Sequence, residues 1–318
     1  AGGPEGMIGE VALPLLAGLL GFCLARANSC TVASVRRLVL ERRWDWLLGL
    51  ATAASAGAVT LVVLLMIGGS GFALPDHHEL GWGPVLGGLL LGTGAFINRA
   101  CMLGSISRLA EGDTNFLLTL VGLAAALSAW PNLYILPEEP DSYRVDDLLS
   151  LAPAPVFAIL ALLTLGWAIF RLQRGRNAAL LYLVAAGVLG ATLFAGSPQW
   201  SYLSSIDRAL RGSLFAFGLG TDIAALTIFA GAWLSTWLAS RFSWVKPSVT
   251  RATGCLLGGF LMGLGAQTVP GGNDALLLWT IPGAALYGLV AYAVMVVSIA
   301  FCLIASHHFR RGAAAQHR

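Results

Sequence analysis

Two of the five cysteines in this chain are set apart by what precedes them. Cys30 follows Arg26-Ala27-Asn28-Ser29 and Cys101 follows Asn98-Arg99-Ala100, so each stands where a short polar break interrupts an apolar stretch. The residues beyond (TVASVRRLV and MLGSISRLAEGD) read as brief helices, which places both thiols at helix starts. A helix N-terminus carries free N–H groups and partial positive charge, so it favours thiolate and attracts anions. Sulfur is also soft and polarisable. Two thiols at equivalent breaks therefore point to contact with a sulfur-bearing anion, with no covalent bond required. Cys23, Cys255 and Cys302 lie in plain apolar runs and are expected to pack as small hydrophobes. An odd cysteine count without CxxC or Cys/His spacing predicts no disulfide framework, no metal site and no cofactor.

Two further breaks lie in the second half. They are Gly196-Ser197-Pro198-Gln199 before Trp200, and Pro270-Gly271-Gly272-Asn273-Asp274 before ALLLWTIPG. Ser197 followed by Pro198 reads as N-cap and first helical residue, and Asn28 or Ser29 can cap likewise. Non-helical backbone at membrane depth is tolerated where protein buries it or it lines a cavity. Four breaks turned inward would converge on one anion path, whereas four interfacial turns would not. The candidate path residues are Arg26, Asn28 and Cys30, Arg99 and Cys101, Gln199 and Trp200, and Gly272 and Asn273. Arg26 and Arg99 would neutralise the anion or snorkel to the interface, and Trp200 would wall the path. Asp222 reads as a proton site or as the partner of Arg208 or Arg211.

These breaks need helices around them, and the composition supplies them. Of 318 residues, 57% are hydrophobic and 11% charged, and the mean hydropathy is +0.77. A soluble chain of this size could not bury that much apolar surface. Disorder, a disulfide-dense scaffold and nucleic-acid binding are excluded on the same grounds. At roughly 20 residues per crossing, nine spans are expected: 8–26, 44–68, 82–98, 116–136, 153–170, 178–195, 214–240, 252–268 and 283–306. Residues 1–6 have no basic segment, so no cleavable signal peptide is expected. With residue 1 outside, 16 of the 19 Lys and Arg fall on inner segments, leaving Arg144, Arg208 and Arg211 outside. The charge bias predicts a multi-pass membrane protein with its N-terminus outside and its C-terminus on the cytoplasmic side.

AGLLGFCL (17–24) matches AGVLGATL (186–193) at five of eight positions, and LGGLLLGTGA (86–95) matches LGGFLMGLGA (257–266) at seven of ten. The same order and nearly the same spacing indicate a duplication. The expected organisation is a first membrane repeat over 1–150, a connecting span over 151–177 and a second, inverted repeat over 178–318. The fold class is thus an all-α integral membrane protein with two inverted-topology repeats and four short re-entrant helices. The paired Gly-rich faces are expected to serve close helix packing.

GFCLARANSCTVASVRRL (21–38) and LGTGAFINRACMLGSISRLAEGD (91–113) resemble the paired signature segments of the YeeE/YedE sulfur-transport family. The second signature runs as a Gly-rich helix, a Gly-Cys pair and an R-x-x-E/G-E-G-like end, which here is Arg108-Leu109-Ala110-Glu111-Gly112. The resemblance covers both halves of the chain. It implies about nine spans with short inward-pointing helices, thiosulfate as substrate and cysteines along the path. Two departures stand out: Gly272 takes the place of a further cysteine in the last repeat, and Ala100-Cys101 replaces Gly-Cys. Only Cys30 and Cys101 carry over residue by residue. The leading expectation is a non-enzymatic permease for thiosulfate or a related sulfur oxyanion. A transporter-like sensor signalling to a cytoplasmic sulfur-handling or regulatory protein is the alternative.

Overall fold

A computed structural model describes residues 9–68, 71–76, 80–129, 154–174, 178–269 and 271–316. The acidic stretch 137–150, Trp130 and the His77-His78 pair lie outside the described residues. Among the described residues thirteen α-helices run in the order α1 (Ala12–Ala27), α2 (Thr31–Glu41), α3 (Asp45–Gly68), α4 (Trp82–Asn98), α5 (Met102–Ala110), α6 (Leu117–Ala129), α7 (Ala154–Gln173), α8 (Ala178–Gly196), α9 (Tyr202–Leu210), α10 (Leu219–Leu238), α11 (Val249–Thr268), α12 (Asn273–Ala275) and α13 (Leu286–Gln316). A π-helical stretch, Leu276–Thr280, continues α12. The protein is an all-α membrane protein. Among the described residues seven helical segments are long and apolar enough to cross a bilayer, and two more, Thr114–Ala129 and Ala158–Gln173, are apolar but shorter. Two of the seven, Ala12–Glu41 and Trp82–Ala110, are the pairs α1/α2 and α4/α5, each broken at a cysteine.

The helices pack in matched pairs. Helix α1 lies on α10 and α3 on α8, while α4 lies on α13 and α6 on α11. Short helix α2 meets α13, and α9 meets α6. Exchanging α1–α6 for α8–α13 in order leaves this pattern of neighbours unchanged. Helix α7 rests on α3 and α8, outside the exchange.

Glycine makes these contacts close. A Cβ on Gly21 would strike the Ile228 carbonyl, one on Gly231 the Gly18 carbonyl, and one on Gly187 the Ala53 carbonyl. At the α4–α11 crossing a Cβ on Gly94 would lie 2.7 Å from the Gly258 carbonyl oxygen. Lipid tails are as apolar as leucine, so helix association rests on such van der Waals fit rather than on escape from water. The opposite faces carry exposed Leu15, Val62, Leu226, Leu257 and Val297, as lipid contact requires.

Candidate functional site

Helix α1 stops at Asn28, which adopts the left-handed conformation (φ 56°). Asparagine visits this region more readily than most side chains. Asn28 thus closes α1 instead of opening α2; the opening residue is Cys30, extended at φ −138° and ψ 119°. The second break repeats the device. Arg99 takes φ 64° to close α4, and Cys101 opens α5. In both short helices a serine hydroxyl one turn on donates to the cysteine carbonyl, Ser34 to Cys30 and Ser105 to Cys101, each at 3.0 Å.

The two helix starts face each other. Cys101 Sγ accepts from Gly104 N–H at 3.4 Å and from Thr31 N–H of the neighbouring helix at 3.3 Å, and lies 3.9 Å from Cys30 Sγ. A Cβ on Gly104 would come within 2.5 Å of Cys30 Sγ, so the glycine makes room for the thiol. Tyr292 of α13 holds Thr31 through a hydroxyl pair at 3.0 Å. Behind the pair, Asn98 donates to the Ala100 carbonyl at 2.7 Å and to Ser105 Oγ at 2.8 Å, and accepts from Thr119 Oγ1 at 2.7 Å. These bonds fix the sharp turn that aims Cys101 at Cys30.

The last break reaches the same place. Asn273 is fully buried and its Oδ1 accepts from Met102 N–H at 3.0 Å, joining α12 to α5. Its Nδ2 has no partner, nor does Oδ1 of buried Asp274. Gly272 sits against Met102, whose Sδ fills the space a side chain at 272 would need. A thioether therefore stands where the family pattern led one to look for a third thiol.

The third break differs from expectation. Ser197 and Pro198 open only a 3-10 turn, Pro198–Trp200, and Ser197 makes no capping bond. Helix α9 begins at Tyr202 and is capped by Ser201, whose Oγ accepts from Ser204 N–H at 3.2 Å. Ser201 precedes Gly272 by the same number of residues as Cys30 precedes Cys101, and it holds the station that Gln199 was expected to hold. Gln199 is exposed, and its carbonyl accepts from Arg208 Nη1 at 2.9 Å. Trp200 is buried, with its ring edge-on to Phe194 at 5.2 Å, and Phe194 in turn stacks on Trp279 at 5.8 Å.

Cys30, Cys101, Gly272 and Asn273 thus meet at one junction, and Asn28 borders a cavity beside Cys30. The arginines do not join them there. Arg26 lies over Phe22 and Tyr182 and donates to the Ser235 carbonyl at 3.3 Å, while Arg99 is exposed. Asp222 is the partner of Arg208 in a buried ion pair, and also accepts from Ser205 Oγ and Phe215 N–H. Sequence reasoning missed Thr31, Asn98, Met102 and Tyr292. A polar residue at the end of an apolar helix was a readable signal for Asn98, but Met102 resembles any core residue.

A model of the sulphur transport family matches residues 26–201 and again residues 151–301. The chain belongs to the sulphur transport family. No curated protein matches it. The first match begins at Arg26 and takes in both helix starts that hold the thiol pair. This member of the family is a multi-pass membrane protein and a transporter of sulphur compounds. The far end of its second signature is anchored as well as its start. Glu111 pairs with Arg108 at 3.2 Å and Arg241 at 3.6 Å, and Gly112, at φ 98°, accepts from Val245 N–H at 3.1 Å.

Proposed function

We propose that the protein carries thiosulfate, or a closely related small sulfur oxyanion, across a bacterial inner membrane through the thiol pair at the junction of two inverted halves. The halves are residues 1–150 and 178–318, joined by 151–177. The matched pairs of helix neighbours and the double family match support the duplication, and the charge count supports a periplasmic N-terminus.

One observation carries the reading of the site: Cys101 Sγ is held by N–H donors from two helix starts while lying 3.9 Å from a second thiol. Those donors now point at a soft acceptor. Thiosulfate offers a sulfane sulfur of that kind at one end and an oxyanion at the other. As it enters, the sulfane end meets Cys30 and Cys101, and the oxyanion end takes N–H groups together with the free Nδ2 of Asn273. A bare divalent ion would cost several kcal/mol or more in this interior, so its oxygens need these donors. Sulfate has no soft end and gains only the donors.

Competition uptake tests this. Radiolabelled thiosulfate uptake should fall markedly with unlabelled thiosulfate and little with equal sulfate, and Cys30→Ala should narrow the gap by weakening thiosulfate alone. Equal inhibition by both ions in the wild type would leave the thiols as packing residues. Bound thiosulfate without accumulation would make the protein a sensor.

A further inference from the structure

Below the thiol pair the short helices α2 and α5 enclose a cavity of about 160 Å³. Its wall includes Asn28, Cys30, Arg37, Trp46, Ser107 and Arg108. On α2 the lining residues Cys30, Ala33 and Arg37 share one face, and on α5 Gly104, Ser107 and Arg108 do the same. The cavity is therefore a seam between two helices, with a thiol at one end and two guanidinium groups at the other. Arg37 lies seven positions beyond Cys30, a helical rise on the order of 10 Å. A water's share of liquid is about 30 Å³, so the space holds a tetrahedral oxyanion with water to spare.

The residues that line this seam carry positive charge. Two cations line it and no carboxylate does. The Arg37 guanidinium lies over the Trp46 ring, 3.8 Å from its centroid, which holds the group without neutralising it. Arg108 leans on Glu111 through Nη1 at 3.2 Å, and a planar guanidinium has further N–H donors to offer. Ser107 supplies an independent sign of a ligand. It is 4% exposed and its hydroxyl has no hydrogen-bond partner, whereas buried polar groups are nearly always paired. The hydroxyl is closed off in its present rotamer, so a ligand oxygen in the seam would meet it after a turn about χ1.

We propose that this seam is a second anion site, in which Arg37, Arg108 and Ser107 take a small divalent oxyanion by charge and hydrogen bonding alone. It rests on the reading of the thiol pair as the transport path, of which it is the next station. The thiol pair reads the soft sulfur, and the seam reads the oxyanion. Sulfate is therefore the right probe, since it can occupy the seam and gains little at the thiols.

The test is equilibrium binding of radiolabelled sulfate to the full-length protein in phosphatidylcholine nanodiscs. Saturable, salt-sensitive binding is expected. Arg37→Gln and Arg108→Gln should each weaken it on the order of tenfold, as loss of a charge-assisted contact does, and Ser107→Ala should weaken it less. Arg37→Lys and Arg108→Lys keep the charge and should retain most of the affinity, which separates loss of the site from loss of the fold. Absence of saturable sulfate binding by the wild type, or unchanged affinity in both glutamine variants, would overturn the assignment. So would displacement of sulfate when phosphatidylglycerol replaces part of the neutral lipid, since a headgroup would then be the occupant. Thiosulfate uptake measured in parallel keeps the two readings apart: sulfate binding without thiosulfate uptake sinks the permease and leaves the seam standing.

Discussion

Replacing Cys101 by serine removes the soft atom from the junction while sparing the turn that carries it. Serine is among the best N-cap residues, and its shorter bond to oxygen draws the acceptor back toward its own helix. The local bond from Gly104 N–H, now 3.4 Å to sulfur, is retained, while the bond from Thr31 N–H across the junction, now 3.3 Å, is weakened. Leaving a buried donor short of a partner costs about 1–3 kcal/mol, and the better cap returns roughly 1 kcal/mol. The net loss of about 0–2 kcal/mol keeps the unfolding midpoint within several degrees of wild type. Uptake should respond quite differently. If the sulfur contact lowers the barrier for thiosulfate by about 1.4 kcal/mol or more, its loss slows uptake at least about tenfold. Proteoliposomes with matched protein content read the uptake, and size-exclusion midpoints read the fold. Uptake within about twofold of wild type at an unchanged midpoint would refute the role of the thiol.

Gly272→Ala should lower the unfolding midpoint, because its Cβ would lie 2.6 Å from Asp274 Oδ1 and strike Met102; overpacking of this kind costs about 1–3 kcal/mol, and Met102→Ala in the same chain should recover part of it. Asp222→Asn strands Arg208 in a buried position and should cost about 3–5 kcal/mol, read as a large midpoint loss that the paired replacement Arg208→Met with Asp222→Leu substantially reverses. Gly21→Leu should prevent α1 from seating on α10 and abolish the monodisperse protein, while Leu15→Ala on the lipid face should leave it intact. For orientation, Ser142→Cys should react with an impermeant thiol reagent in intact cells and Gln173→Cys should not; the opposite result would reverse the assigned sidedness.

The breaks at 28–30, 98–101 and 271–273 were legible because a polar residue inside an apolar run has few structural uses besides ending a helix. The third was misplaced by four residues. Ser197-Pro198 has the local chemistry of a helix start, yet the chain spends it on a 3-10 turn and starts α9 after Ser201. Local capping signals name a turn without saying which kind follows. Side-chain direction was harder still: Arg26 lies four residues before Cys30, but tertiary packing carries it to Phe22, Tyr182 and α10. The meeting of Cys30 with Cys101 was an inference from equivalence, and their separation of 3.9 Å depends on Asn98, Thr119 and Gly104, none of which announces that duty. The Arg208–Asp222 pair was one of three options left open, and only the fold of the loop after α9 selects it.

The glycine seams bear on how this chain can vary and how it can move. Where Gly21 meets the Ile228 carbonyl or Gly187 that of Ala53, the contact is backbone to backbone. Such a contact has no alternative rotamers, so the paired helices cannot accommodate a change by repacking. Substitutions should accumulate on the lipid face, where one aliphatic residue replaces another freely, and be purged from the seams. The same stiffness would direct motion elsewhere: on the proposed transport reading, with α1/α10 and α3/α8 seated backbone to backbone, the displacement that opens a path would fall to the short helices α2, α5, α9 and α12, which carry the four capping stations.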